Sequence, residues 1–260
     1  MKIVVCVKHV PDATGDRHFR ADGATDRSSA DNLLSELDEY AAEQALNIAE
    51  SHGGTEICYL TMGPEPAIGA LRRALAMGGD RAVQVTDDAL LGVDALGTSA
   101  VLAAAIRALG FDLVICGMAS TDGSMGVMPA MLAERLAVAQ ATMASQVIEL
   151  ADGAITVRRD NDLGSITMTA PLPAVVSVTD LSGEPRYPSL KNTMAARRKP
   201  VQTWSLGDLG VDPSEVGLAG AAAVVQQTQL RPSRQAGTVT PDQGDGGVKL
   251  AEFLAQSRII

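Results

Sequence analysis

Short apolar runs of strand length recur at residues 3–7, 57–60, 82–85 and 113–116, rich in Val and Ile, and alternate with longer stretches of helical periodicity. That rhythm predicts successive β–α–β units. The first helix is expected after Ser35, because Ser35-Glu36-Leu37-Asp38 has the form of a capping box and Leu37, Tyr40, Ala41, Gln44, Ala45 and Ile48 repeat at helical spacing up to Gly53-Gly54. Further helices are predicted from Pro64 to Gly78-Gly79, over residues 95–109 before Gly110, and over 127–136. Strands buried beneath helices on both faces make a doubly wound parallel sheet, an α/β fold whose ligand site lies beyond the carboxyl ends of the strands.

From about residue 145 the period changes to two, over 146–150, 155–159 and 165–170, with turns at Asp152-Gly153 and Leu163-Gly164 and then the apolar run 174–178. This predicts an antiparallel extension of the same domain. Residues 183–200 are punctuated by Pro185, Pro188 and Pro200 and read as an exposed, basic, protruding loop. From about residue 206 a polar Gly/Pro/Gln/Thr stretch leads to a final short helix over 248–256, which reads as a C-terminal arm needing a partner to pack on. The expected divisions are 1–183, 184–203 and 204–260.

Composition narrows the function. With 46% apolar and 20% charged residues among 260, the chain can bury a substantial core and is not a disordered, collagen-like or coiled-coil protein. The net charge of −10 opposes a nucleic-acid partner or an anionic membrane surface. One Trp, 3 Tyr and 3 Phe are few rings with which to sandwich a flavin, so a large aromatic cofactor would need another chain. Cys6, Cys58 and Cys116 sit in apolar runs without CxxC spacing, which suits buried thiols in a reducing compartment. The first apolar run is broken by Pro11, too short for a signal sequence or a membrane span, so the expectation is a cytoplasmic protein without direct membrane insertion.

The strongest candidate chemistry is the loop Gly117-Met118-Ala119-Ser120-Thr121-Asp122-Gly123-Ser124-Met125-Gly126, which leads directly into a predicted helix. Its glycines let backbone amides approach a ligand, its hydroxyls can donate, and the helix N-terminus favours an anion, so a phosphate is the natural guest. An ordinary glycine-rich turn capped by Asp122 or Ser124 explains the same residues equally well. Between the first strand and first helix, residues 8–34 form a long excursion with Asp12, Gly15, Asp16, Asp22, Gly23 and Asp26, read as a hairpin around Asp22-Gly23. His9, His18 and His52 lack ligand spacing and no G-x-S-x-G elbow exists, so no catalytic set emerges. Tyr187, Leu190 and Met194 beside Arg197, Arg198 and Lys199 have the character of a docking patch for an acidic protein, against the alternative of a solvated charge run.

Six separated motifs then fall in register with one family. They are Val5-Cys6-Val7-Lys8-His9-Val10-Pro11-Asp12, Leu75-Ala76-Met77-Gly78-Gly79-Asp80-Arg81, the loop at Gly117, Leu172-Pro173-Ala174-Val175-Val176, Glu184-Pro185-Arg186-Tyr187 with Leu190, Asn192 and Met194, and Leu206-Gly207-Asp208-Leu209-Gly210-Val211. Along essentially its whole length the chain resembles the β subunit of electron transfer flavoprotein. The resemblance implies an electron carrier subunit, not an enzyme, paired with an α subunit. That pair carries electrons from flavin dehydrogenases, such as the acyl-CoA dehydrogenases of fatty acid oxidation, to a membrane quinone oxidoreductase. It implies a redox FAD held mainly by the α subunit and a structural AMP in this chain, or a second FAD as in electron-bifurcating relatives. By position, the AMP would lie along the backbone of Cys6 and Lys8, Met62, Asp122, Gly123, Ser124, Met125, Gly126, Val127 and Met128. Many relatives carry Asn, Gln and Thr where this chain has Gly126, Val127 and Met128, so phosphate binding here would rest on backbone N–H groups and on Ser120, Thr121 or Ser124. Leu37 and Tyr40 would approach the flavin edge. The resemblance makes 1–183 a nucleotide-binding domain, 184–203 a partner-recognition loop and 204–260 an arm packing on the α subunit. It gives Leu190 as the anchor of that loop, with Tyr187, Met194, Arg197, Arg198 and Lys199 around it, and Asp160 as a carboxylate near the mobile FAD domain. A stand-alone adenine-nucleotide sensor of the stress-protein type would leave residues 184–200 and the arm without a purpose, and an ATP-activating enzyme would need a P-loop that is absent from the sequence.

Overall fold

A computed structural model describes residues 1–15, 17–28, 31–232, 237 and 239–260. In chain order its elements are β1 (Lys2–Cys6), β2 (His9–Pro11), β3 (Asn32–Leu34), α1 (Glu36–Ser51), β4 (Glu56–Met62), α2 (Ile68–Met77), β5 (Arg81–Val85), α3 (Ala95–Leu109) and β6 (Leu113–Gly117). There follow α4 (Met128–Leu136), β7 (Ala139–Ala144), β8 (Gln146–Ala151), β9 (Ala154–Asn161), β10 (Gly164–Pro171), β11 (Ala174–Val178), α5 (Leu190–Ala196), β12 (Val201–Trp204), α6 (Gly217–Gly220) and α7 (Gly246–Gln256).

Among the described residues, seven strands form one sheet in the order β12-β5-β4-β1-β6-β11-β7, and every neighbour in it is parallel. Alternate residues of each strand face opposite ways. Ile3 and Val5, Ile57 and Tyr59, Leu113 and Ile115, and Val176 pack with Ala41 and Ala45 of α1 and Leu71 and Leu75 of α2. Val4, Cys58, Leu60, Val83, Val114, Cys116 and Val175 pack with Val101 and Ile106 of α3 and Leu132 of α4. The sheet is therefore doubly wound, as the sequence pattern predicts. From β1 the chain builds outward to β4 and β5, then crosses back to β6 on the other side of β1, so the strand order reverses at the carboxyl ends of β1 and β6. Such a reversal splays the two following loops apart and opens a crevice between them.

The antiparallel extension is present as β8-β9-β10, a separate sheet. Three strands differ from expectation. The run 174–178, expected to continue that extension, is β11 and inserts between β6 and β7 in the parallel sheet. All five of its residues are buried, and burial on both faces is what makes a strand read as continuously apolar rather than alternating. β7 has no counterpart in the sequence reading, because an edge strand half in water reads Ala-Gln-Ala-Thr-Met-Ala. β12 straddles the end of the segment expected to be a loop, 184–203, and forms the opposite edge, paired with β5.

The chain divides into two units, Met1–Gln227 and Thr228–Ile260. The boundary is later than the sequence pattern placed it, because Leu206 and Val216, expected in the arm, are buried in the α3/α4 core. In the second unit α7 has no buried residue, and Val248, Leu250 and Phe253 are exposed. In the long excursion β2 pairs antiparallel with β3, and Phe19 bridges Thr25 around the expected turn at Gly23; Asp16 lies outside the described residues. The expected capping box at Ser35 does not form. Ser35 makes no side-chain cap bond, its buried hydroxyl has no hydrogen-bond partner among the described residues, and the Asp38 carboxylate is engaged elsewhere. Among the described residues no helix is long and apolar enough to cross a membrane.

Candidate functional site

The parallel register sets Cys6 opposite Cys116, so the chain leaves β1 and β6 side by side at the reversal. Asp38, buried in the first turn of α1, closes the gap between them. Its carboxylate accepts from the backbone N–H of Lys8 at 2.8 Å and from that of Gly117. The approach leaves no room for a side chain at Gly117, where a Cβ would lie 2.6 Å from Asp38 Oδ1 and 2.7 Å from the Leu37 carbonyl oxygen. Burial pushes the Asp38 carboxyl up to about 7, a rise opposed by the two amides and the Lys8 charge and reinforced by Asp122.

The mouth of the crevice is lined by cations. Lys8 Nζ donates to Asp122 Oδ1 at 2.8 Å and to Ser120 Oγ at 3.3 Å. Arg27, reaching in from the long excursion, pairs with the other Asp122 oxygen and donates to the His9 carbonyl at 2.9 Å. Arg17 donates to the Thr121 carbonyl at 2.7 Å. The Asp122 side chain is only 4% exposed, and burial alone would raise its pKa. The charge and hydrogen bond of Lys8 and the bonds from Arg27 and Ser120 outweigh burial and hold it well below the usual carboxylate range. Two cations thus meet one buried carboxylate, leaving one positive charge in excess, and Arg17 holds the backbone of the same loop.

Beyond Asp122 the loop turns through left-handed backbone at Ser124 (φ 53°) and Gly126 (φ 66°), a conformation that costs glycine least. It enters α4 through Val127, which provides no side-chain cap, so the Met128 and Ala130 amides have no acceptor from it, while Pro129 between them has no N–H to offer. Thr121 Oγ1 is buried and among the described residues has no hydrogen-bond partner. Surplus positive charge, uncapped helix amides and an orphaned buried hydroxyl together fit an anionic ligand such as a phosphate.

The structure brings Cys6, Lys8, Met62 and residues 122–128 to the same carboxyl edge of the sheet. Gly123, Ser124, Met125, Gly126 and Val127 are exposed and Met128 half-buried. Leu37 and Tyr40 are half-buried at the start of α1, and Tyr40 packs against the α1/α2 core. Arg17, Arg27 and Asp38 have no place among the sequence candidates. The unusual length of the excursion is the one signal that could have pointed to the two arginines, and Asp38 was masked by its resemblance to a capping residue.

The other candidates belong to separate places. Tyr187, Leu190 and Met194 are 85%, 79% and 63% exposed, but the expected loop contains a helix, α5, capped by Ser189 Oγ accepting from Asn192 N at 3.1 Å. Arg186 holds one end of the segment to α1 through Glu43 and Glu50, and those hydrogen bonds raise the Arg186 pKa above its ordinary value. Arg73 lies 5.2 Å beneath the Tyr187 ring. Arg72 holds the other end, donating to the carbonyls of Ala196 at 2.7 Å and Lys199 at 2.8 Å. Arg197 and Arg198 are exposed as expected, but Lys199 is half-buried and donates to the Leu75 carbonyl at 3.0 Å, a tether and not a free docking charge. Asp160, on β9, accepts from Ser145 Oγ, Ser165 Oγ and Arg158, hydroxyls first, which together lower its pKa. Among the described residues no group of three His, Cys, Asp or Glu could hold a metal.

The family profile described as "Electron transfer flavoprotein domain" matches residues 23–209. The chain is 42% identical over 264 residues to the electron transfer flavoprotein subunit beta of Mycobacterium tuberculosis, covering 99% of each. It is 31% identical to the protein of the same name from Megasphaera elsdenii, over 100% of this chain and 98% of that one. It is also 34% identical to Protein FixA of Azorhizobium caulinodans, over 92% of this chain and 88% of that one.

Proposed function

Since this chain belongs to the electron transfer flavoprotein family as a β subunit, we propose that it binds AMP in the crevice between β1 and β6 and pairs with an α subunit that holds most of the redox FAD. The pair accepts electrons from flavin dehydrogenases, acyl-CoA dehydrogenases among them, and passes them to a membrane quinone oxidoreductase. The FAD supplies the redox chemistry; this chain supplies binding and docking. Lys8 and Arg27 neutralise phosphate charge, and Ser120 and Thr121 offer hydroxyls. The loop and first-turn amides of α4 complete the cradle, and Asp38 fixes the distance between its two walls. Tyr187, Leu190 and Met194 present the apolar docking face, with Arg197 and Arg198 steering an acidic partner toward it. Leu37 and Tyr40 approach the flavin edge, and Asp160 faces the mobile FAD domain. Free Cys6, Cys58 and Cys116 are in keeping with a cytoplasmic, reducing location.

The observation that carries the nucleotide reading is the convergence of Lys8, Arg27 and Ser120 on Asp122, beside the uncapped start of α4. Denaturing the purified heterodimer and identifying what it releases tests it. One AMP per pair is expected alongside one FAD, whereas two FAD and no AMP would replace AMP with a second flavin in the crevice.

A further inference from the structure

Cys6 ends β1 and Cys116 is the last residue but one of β6, and the register sets them directly across from one another. Both side chains lie on the α3/α4 face, Cys116 within that core and Cys6 against it. Both thiols are free, Cys6 half-exposed and Cys116 buried. In-register neighbours on adjacent parallel strands stand about 4.8 Å apart, inside the span of about 4.4–6.8 Å that a disulfide allows between Cα atoms. Cys58, the third thiol of this face, pairs with Val4, two residues before Cys6. Two residues of rise, about 6.6 Å, added at right angles to the strand spacing put Cys58 about 8 Å from Cys6, beyond that span. The lattice of the sheet therefore singles out one pair from three cysteines.

We propose that Cys6 and Cys116 form an oxidation site, at which hydrogen peroxide closes a disulfide between β1 and β6 on the floor of the crevice. The Cys6 sulfur attacks first. Its S–O bond forms as the peroxide O–O bond breaks, and the thiol proton leaves with the departing oxygen as water, giving a sulfenic acid. The Cys116 sulfur then attacks the Cys6 sulfur, and its proton departs with the hydroxyl as a second water. Two thiols lose two electrons, and one peroxide is reduced to two waters. This order follows from the geometry, since Cys6 is the thiol that solvent reaches. The hydrogen bond between the two thiols, and then burial, keep Cys116 protonated until the second step. The bond would join the strand ends one residue before Gly117 and two before Lys8, whose amides grip Asp38, so it would tie together the two strands from which the walls of the crevice extend.

The test uses the full chain, reduced, freed of reductant and treated with a small molar excess of hydrogen peroxide, then denatured in N-ethylmaleimide and digested. Expected is a loss of about 2 Da in a linked pair of peptides carrying Cys6 and Cys116, reversed by dithiothreitol, with Cys58 alkylated throughout. Cys58→Ser should keep the link, and Cys116→Ser should abolish it and leave Cys6 to gain about 32 Da as the sulfinic acid. The proposal is overturned if wild-type Cys6 stays alkylatable, if it proceeds to the sulfinic acid while Cys116 remains free, or if Cys58 appears in the linked pair.

Discussion

Gly117 and Asp38 form one device. Adding a single methyl at Gly117 would drive it against the Asp38 carboxylate and the Leu37 carbonyl, and the second of these is backbone that cannot swing aside. Gly117→Ala should cost about 1–3 kcal/mol of stability and release the bound nucleotide, read by thermal melting and by nucleotide content after gel filtration. Asp38 makes a separate forecast in pH. Its carboxyl is raised from an ordinary 3.8 to about 7, so between those values the folded state holds a proton that the unfolded chain has released. Stability from this group is fully present below about pH 4 and is lost as pH rises through 7. Asp38→Asn carries no charge to bury, so its stability relative to wild type should climb by a few kcal/mol from pH 4 to 7 and then level off. A flat difference across that range in denaturant titrations would show that Asp38 is not the titrating group. Neither role was legible in the sequence. Ser-x-x-Asp before an apolar run is a capping signal, and only the tertiary approach of β6 diverts the carboxylate from Ser35 to Gly117. Lys8 and Asp122, by contrast, were both singled out in the sequence, one just past the first strand and one in the glycine-rich loop, and the fold pairs them with each other.

Among elements, those with two buried faces were the easiest to read and those at the sheet margins the hardest. β1, β4 and β6 carry unbroken apolar runs and β5 one interrupted only by the buried Gln84, and all four were found within a residue or two. β7 and β12 carry mixed residues, since one edge of each meets solvent, and nothing local distinguishes such a strand from a loop. α5 shows the same limit: Pro188 and the basic run suggested an extended loop, whereas the Ser189 cap and the Arg72 bonds stabilise two turns of helix. That helix is held at both ends by arginines while its outer residues are exposed. Leu190→Ala should therefore change stability by no more than about 0.5 kcal/mol, yet weaken association with the dehydrogenase roughly thirtyfold. A lowered melting temperature with unchanged flavin reduction would reverse the assignment. Arg197→Gln and Arg198→Gln should slow association and flatten its salt dependence. Lys199→Gln should instead lower stability, because its bond to Leu75 holds the helix to α2.

For the molecule as a whole, the second unit sets the clearest expectation. α7 has apolar residues but buries none of them, which leaves its backbone bonds without tertiary support. Amide hydrogens over residues 246–256 should exchange within seconds in the isolated chain and gain protection of a hundredfold or more on the addition of the α subunit; equal protection in both would mean that the arm folds unaided. The order of strands in the sheet bears on how the protein is made. β7 is synthesised before β11 but pairs only with β11, and β12, the last strand to be synthesised, closes the edge farthest from it. During synthesis the nascent chain must therefore carry β7 without a neighbour, and β6 with one open edge, until residues 174–178 have left the ribosome, a window in which unpaired strands invite aggregation. Chains ended at residue 173 should be digested rapidly by protease across residues 113–144, and chains ended at residue 227 should resist. The exit of β11 is the moment at which β7 is joined to the rest of the sheet, and β12 then closes the opposite edge.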